Sequence, residues 1–408
     1  MRQARSRSTH EAVFRRRLAS LLGSALLIAT VPLGMAEAAA PDTIRIGYLH
    51  QERAPASPAS PLDELATEEG LAGARLGIAD NAATGRFIGQ SFVVIERRMR
   101  RGDDPVAAVA ELAAEGVRFV ITDLDAEPLR LAAGAAPRLL FLNARAPDDA
   151  LRAQCRNNLL HTVPSRAMLA DGLAQYLVWK RWRRWFLVVG QGAGDVLYAE
   201  AVRRAAKRFG AEIVIEKAWS FQYGPARADT GHVTLQTEIP AFTNVADHDV
   251  LVVADEANAF GDYLDGRTAR PRPVAGTHHL VATGWSAVNE QWGATQLASR
   301  FAKLAGRRMT AVDYAAWAAV RSVGEAATRS RSADPDKIAA YLRGPAFLMS
   351  GFKGRGQSFR EWDGQMRQPI LIAGPRLLVS ASPQPGFLHR VSELDTLGVD
   401  REESPCKP

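Results

Sequence analysis

Two cysteines, Cys155 and Cys406, are all that 408 residues contain. They are too far apart for a C-x-x-C redox motif, and no histidine array beside either one suggests a zinc site. In an oxidising compartment they suit a structural disulfide that ties the C-terminal tail to the loop before residue 160. The G-x-S-x-G elbow is absent, so a serine hydrolase of that fold has no candidate nucleophile. No internal repeat of solenoid length is present. Beyond Leu33 no apolar run is long enough to cross a bilayer. Charge of one sign is also scarce after the N-terminus. Taking six arginines and two glutamates of residues 1–40 from 51 basic and 44 acidic residues leaves 45 and 42, a net +3. Neither a nucleic-acid nor a membrane partner follows from that balance.

The first forty residues have an ordered pattern. Arg15-Arg16-Arg17 precede the apolar run Leu18 to Leu33, and the small residues Ala36, Ala38, Ala39 and Ala40 follow. That is the layout of a secretory signal, too short and wrongly flanked for a membrane span. Residues 1–40 are therefore expected to be removed, leaving an exported, soluble, periplasmic chain.

The remainder alternates strand and helix signals. Thr43–Leu49, Ser91–Arg97, Val117–Thr122, Arg138–Leu142 and Leu159–Val163 read as strands, with helical spacing between them. Asp103-Asp104-Pro105 starts one of these helices with an acidic cap and a first-turn proline. A helix over Ala167–Lys180 leads to a second series: strand Trp185–Val189, helix Val196–Phe209 and strand Ala211–Ala218. Ser220–Val245, with Gly224, Pro225 and Gly231, reads as irregular. Strands Asp249–Ala254, Pro273–Thr277 and Leu280–Gly284 follow, then helices over Glu290–Leu304 and Ala311–Arg329 and one opening at Asp334-Pro335. Turns and short strands fill the chain from Phe347. Short crossovers of this kind imply mostly parallel sheets flanked by helices.

Gly190-Gln191-Gly192-Ala193-Gly194 follows a strand and opens a helix, with Glu212 and Glu216 about twenty residues on, as in a dinucleotide-binding fingerprint. Its third glycine comes one position early, and Asp195 occupies the slot where a diphosphate would be repelled. A tight strand-to-helix turn capped by Asp195 is the better reading. His278-His279 and Asp247-His248-Asp249 are the densest groups of potential metal ligands, and loop or strand-edge roles suit them better. The acidic strand ends Asp123-Leu124-Asp125 and Asp255-Glu256 stand where open α/β sheets bind ligands. Helix capping suits Asp125 and Glu256, whereas Asp123 and Asp255 fit either role.

Four stretches carry a resemblance: TIRIGYL (43–49), VPSRAMLADGLAQYL (163–177), DYAAWAAVRSVGEAATRS (313–330) and FKGRGQSFREWDGQMRQPILI (352–372). Together they resemble type I periplasmic binding proteins, the branched-chain amino-acid receptor group of ATP-binding cassette (ABC) importers. HTVPSRAMLADGLAQYL, VVADEANAFGDYL, RPVAGTHHL, PQPGFLHR and LDTLGVDREESPC are similar to a subgroup encoded beside pyrroloquinoline-quinone (PQQ)-dependent alcohol dehydrogenase systems.

The resemblance implies an α/β, two-lobed fold, each lobe a mostly parallel sheet flanked by helices, joined by a multi-strand hinge. It places 41–163 and about 285–345 in lobe one, about 164–284 and 346–400 in lobe two, and 401–408 in a tail. It implies a solute-binding component of an ABC transporter working with an inner-membrane permease, linked to PQQ-dependent alcohol oxidation, without enzymatic activity, cofactor or metal. By position, Thr122, Asp123, Asn143, Ala144 and Arg145 would form the first wall of a ligand cleft, and Gln191, Asp255 and Trp285 the rest. Departures from the group are the charged His50-Gln51-Glu52-Arg53 and Asp123 itself, which would repel a ligand carboxylate. Arg145 and Trp285 suit a flat or acidic organic ligand. An exported metal- or cofactor-binding protein and a ligand sensor of the same fold are the alternatives.

Overall fold

The computed structural model describes residues 42–53, 65–220 and 229–406, with backbone alone over 229–235. The expected leader and most of the loop after Arg53 lie outside the described residues. Alternation makes the first strand, β1 (Asp42–Gln51): Ile44, Ile46 and Tyr48 enter one hydrophobic core and Leu49 another. Then follow α1 (Leu71–Gly85), β2 (Gln90–Met99), α2 (Pro105–Ala114), β3 (Phe119–Asp123), α3 (Ala126–Ala135), β4 (Leu140–Asn143), α4 (Asp149–Arg152) and β5 (Leu159–His161). The Asp104 carboxylate accepts the Val106 N–H at the start of α2, as the cap signal implied. The five strands pair in parallel in the order β2-β1-β3-β4-β5.

The second lobe starts with α5 (Arg166–Trp179), where the Ser165 hydroxyl accepts the Met168 N–H as N-cap. It continues through β6 (Arg184–Val189), α6 (Ala193–Phe209), β7 (Glu212–Ala218), α7 (Asp229–Thr243), β8 (Val250–Ala254), β9 (Val274–Gly276) and β10 (Leu280–Thr283). Along β6, Trp185, Leu187 and Val189 enter the core shared with α5 and α6, while Phe186 and Val188 enter the opposite one. Helix α7 corrects the expectation of irregular chain over Ser220–Val245 from residue 229 to 243, while 221–228 lie outside the described residues. Gly231 and Pro240 hid it, but Ile239 is fully buried and Phe242 packs against Phe186 and Trp219, and tertiary burial overrides weak propensity.

Helices α8 (Ala294–Ala305), α9 (Ala311–Ser330) and α10 (Pro335–Arg343) return to the first lobe. Asp313 closes a capping box with Thr310 at the start of α9 and also accepts the Gly70 N–H at the start of α1. The two helices nearly touch: a Cβ on Gly73 would lie 1.9 Å from the Asp313 carbonyl oxygen. A small antiparallel sheet of β11 (Met349–Ser350), β12 (Gly356–Phe359) and β13 (Met366–Arg367) follows. Phe347, Met349, Phe359 and Met366 lie in the first lobe's core, not in the second as the 346–400 assignment implied. The aromatic contacts Tyr341–Phe347 and Phe347–Phe359 hold this stretch against α10. The chain rejoins the second sheet only at β14 (Ile370–Ala373), which runs antiparallel to β10 and to β15 (Leu378–Ser382).

The backbone thus passes between the sheets three times, at β5–α5, β10–α8 and β13–β14. The tail then docks on the second lobe: Leu397 enters its core, and the Gly398 N–H donates to the buried Asp171 carboxylate of α5. Cys406 ends the tail in a disulfide with Cys155, in the loop between α4 and β5 of the first lobe. No helix among the described residues is long and apolar enough to cross a membrane.

Candidate functional site

At the carboxyl end of β3 in the first sheet, Asp123 is buried and fully engaged. It accepts the Tyr48 hydroxyl at 3.0 Å and Arg53 Nη1 at 2.9 Å, and it pairs with Arg145 Nε. Burial works against the Arg145 charge, but Asp123 and Glu69 outweigh it and hold the guanidinium above its usual range. Arg145 donates to Glu69 at 2.6 Å, and Arg53 reaches Asp125 at 2.9 Å. Asp125 does stand at the N-cap position of α3, yet its carboxylate turns to Arg53 instead of the helix. The carboxyl end of the first sheet therefore carries an ion network in which Arg53, Glu69 and Arg145 keep about a fifth to a third of their side chains exposed. Thr122 and Ala144 are fully buried inside it, and the Thr122 hydroxyl points to the Leu142 carbonyl.

Asn143 is interior too. Its amide donates to the Ala146 carbonyl and to His161 Nδ1, while its oxygen accepts the Arg145 and Ala146 N–H groups. Burial, assisted by the nearby Arg152 charge, keeps His161 well below the usual imidazole range, so the neutral ring is the acceptor. An unfolded chain takes up that proton near pH 6.5, so below this pH the folded state binds fewer protons than the unfolded state. Stability from this group is complete above pH 6.5 and is expected to fall by up to about 1.4 kcal/mol per pH unit below it. Denaturant titrations between pH 7 and 5 should show a shallower acid slope for His161→Gln; parallel slopes would contradict the assignment.

In the second lobe, the Asp255 carboxylate at the end of β8 is wholly buried and accepts the N–H groups of Ala259, Phe260 and Gly261. It fixes the loop after its own strand, which leaves it no exposed face. Gln191 donates to the Trp219 carbonyl, and Trp219 stacks on Phe260 at 4.5 Å. Trp285 is 3% exposed and stacks on Tyr314 at 4.8 Å in the first lobe's core, so it is no open stacking platform. The glycine loop resolves in the same way. Asp195 Oδ2 accepts the Gly192 N–H at 2.8 Å, and a Cβ on Gly190 would lie 2.2 Å from that oxygen. The carboxylate fills the space a diphosphate needs and, being the third residue of α6, back-bonds to the helix start. No cluster of three or more metal-ligating side chains occurs among the described residues.

Arg166, which joins the strand ends of the two sheets, is a residue to which the sequence pattern gave no role. Arg166, the first residue of α5, makes a two-pronged ion pair with Glu256 beyond β8, at 2.9 and 2.7 Å, and lies 3.0 Å from Asp148 beyond β4. Glu256 was expected to cap a helix; instead it completes this triad. Its signal was an arginine directly after Pro164-Ser165, where the chain first changes lobes. The carboxyl ends of β4 and β8 thus face each other across Arg166.

The crossings carry a second unforeseen node. Lys353 is 1% exposed, and burial pushes its ammonium well below the usual lysine range. Its Nζ donates to the Gly284 carbonyl and to Gln368 Oε1, and Gln368 Nε2 donates to the Thr162 carbonyl. One lysine and one glutamine so connect all three crossings. Arg152, lowered to about 10 by burial, adds bonds to Val163 O and Gln365 Oε1.

No family model matches the sequence, and no curated protein matches it significantly. Solved structures do. A periplasmic binding protein from Burkholderia mallei has a TM-score of 0.63 at 17% identity, covering 90% of this chain and 98% of its own. The closed leucine-, isoleucine-, valine-, threonine- and alanine-binding protein of Brucella ovis gives 0.61 at 16%, covering 81% and 89%. A branched-chain amino acid transporter substrate-binding protein of Streptococcus pneumoniae, solved with isoleucine, gives 0.61 at 16%, covering 83% and 98%. At such identities the likeness is one of architecture: the chain has the two-lobed α/β fold of periplasmic binding proteins, parallel sheets flanked by helices.

Proposed function

We propose that this chain is the exported solute-binding component of an ABC importer, which captures a small organic solute between its lobes and hands it to an inner-membrane permease. The observation that carries the reading is the Arg166 triad. Strand ends of two open, mostly parallel sheets, the usual place for ligands in such sheets, meet there over three hinge crossings. The solved structures of similar architecture support a binding role rather than catalysis. Arg53, Glu69 and Arg145, the partly exposed members of the ion network, would meet the solute from one side and the Gln191 loop from the other, with Asp123 buried behind them.

A plain aliphatic amino acid suits this cleft poorly. Thr122 lies inside the lobe, and Asp255 holds its own loop. A polar organic solute able to exchange with the ion network suits it better. The phrases shared with binding proteins encoded beside PQQ-dependent alcohol dehydrogenases favour a compound of alcohol oxidation.

The test is thermal-shift and calorimetric titration of the mature protein with amino acids, alcohol-oxidation products and PQQ. A ligand at a hundred times its Kd should add about 2.7 kcal/mol of stability without turnover. Indifference to every class, or conversion of a ligand, would overturn the proposal.

A further inference from the structure

Away from the cleft, a recess of about 580 Å³ opens between α9 and the β11–β12 turn, within the size range of small-molecule sites. Arg321, Glu325 and Arg329 follow each other at four-residue steps along one face of α9 and line it, with Arg355 on the facing wall. Glu325 serves two cations: it accepts Arg329 Nε at 2.8 Å and lies 3.5 Å from Arg321. The Arg355 partner, Glu393, stands outside the lining. The recess thus presents three guanidinium groups and one carboxylate. Arg321 is mostly buried and its Nη1 donates to Asn81, so Arg329 and Arg355 are the guanidinium groups open to solvent at the recess.

Its remaining walls are apolar and incompletely covered. Trp292 is 44% exposed, and its backbone is left-handed at φ 53°, a conformation that bulky L residues rarely adopt. Gly354 makes room for the indole, since a Cβ there would approach the ring to 2.7 Å. Leu348, 61% exposed, and Phe352 complete this side. A tryptophan on left-handed backbone, 44% exposed and sharing the recess with three arginines, is placed for stacking more than for core packing.

We propose that this recess is a second binding site, for a small aromatic carboxylate. The ring would lie on Trp292, with the carboxylate held by Arg329 and Arg355, whose planar guanidinium groups match it. None of its lining residues belongs to the inter-lobe cleft, so it stands or falls apart from the importer reading.

The test follows the indole N–H resonance of Trp292 in the mature protein, identified by its loss in Trp292→Asn, a residue that accepts left-handed backbone. Benzoate and phthalate should shift it saturably, cyclohexanecarboxylate more weakly, and benzyl alcohol not at all. Arg329→Gln should weaken binding at least tenfold, and Arg145→Gln in the cleft should leave it unchanged. A resonance unmoved by millimolar benzoate and phthalate would overturn the site. So would equal binding of cyclohexanecarboxylate, or an affinity that follows Arg145 instead of Arg329.

Discussion

Replacing Asp395 with alanine should destabilise the folded chain by about 3–5 kcal/mol, among the largest effects expected of any single change. Asp395 is fully buried in the tail, and Arg360, 2% exposed, donates to it at 2.8 Å. Arg367 donates to both of its oxygens, at 2.9 and 3.0 Å. Arg360 also caps the carbonyls of Leu394 and Leu397, and both guanidinium groups lie over the Trp362 ring. Removing the carboxylate leaves the wholly buried Arg360 with only Asp363, 3.8 Å away, and takes the carboxylate partner of the mostly buried Arg367. Truncating one partner costs far more than the pair itself is worth, because the remaining charge stays desolvated. Replacing the whole cluster, Arg360→Met and Arg367→Met with Asp395→Leu, should therefore recover much of the loss. Guanidinium unfolding monitored by circular dichroism measures both variants. A loss of under about 1 kcal/mol for Asp395→Ala would remove the ion cluster from the account of tail docking.

Loss of the Cys155–Cys406 disulfide should cost about 2–5 kcal/mol. The two residues are 251 positions apart, and cross-linking constrains the unfolded chain more as the closed loop lengthens. Its position adds a second consequence. The tail is held on the second lobe by Asp171, Arg204 and Arg208, which bind Gly398 and Glu403, while Cys155 belongs to the first lobe. The bond is therefore a covalent strap between lobes beside the hinge. Cys155→Ser with Cys406→Ser should lower the denaturation midpoint, and small-angle scattering should show a larger mean radius of gyration without ligand. An unchanged midpoint and radius would contradict the strap.

Much of the architecture was legible because it rests on local pattern. Alternation and helical spacing located most of the strands and helices of both lobes, and the Asp104-Pro105 and Asp334-Pro335 starts are real caps. The pattern failed where distant contacts decide. Helix α7 persists over Gly231 and Pro240 because Ile239 and Phe242 find an aromatic core built from residues before and after it. The stretch 346–366 stays with the first lobe because Phe347 and Phe359 fill space beside α10.

Side-chain direction was less legible still. Asp255 and Trp285 stand at strand ends where a ligand would be sought, yet one turns into its own loop and the other into the core. Spacing tells where a residue stands along a strand and not whom it meets. Arg145 meets Asp123 and Glu69 from 22 and 76 positions away, and Arg166 meets Glu256 from 90.

The central claim, a receptor whose lobes close over a solute, is most directly tested by the distance between them. Pulsed electron–electron resonance between one spin label on α2 and one on α6 would read it in the mature protein, with and without the solute that calorimetry identifies. Saturation should shift the population to shorter separations, with the hinge around Lys353 and Gln368 as the pivot. An identical distance distribution with the solute demonstrably bound would contradict closure.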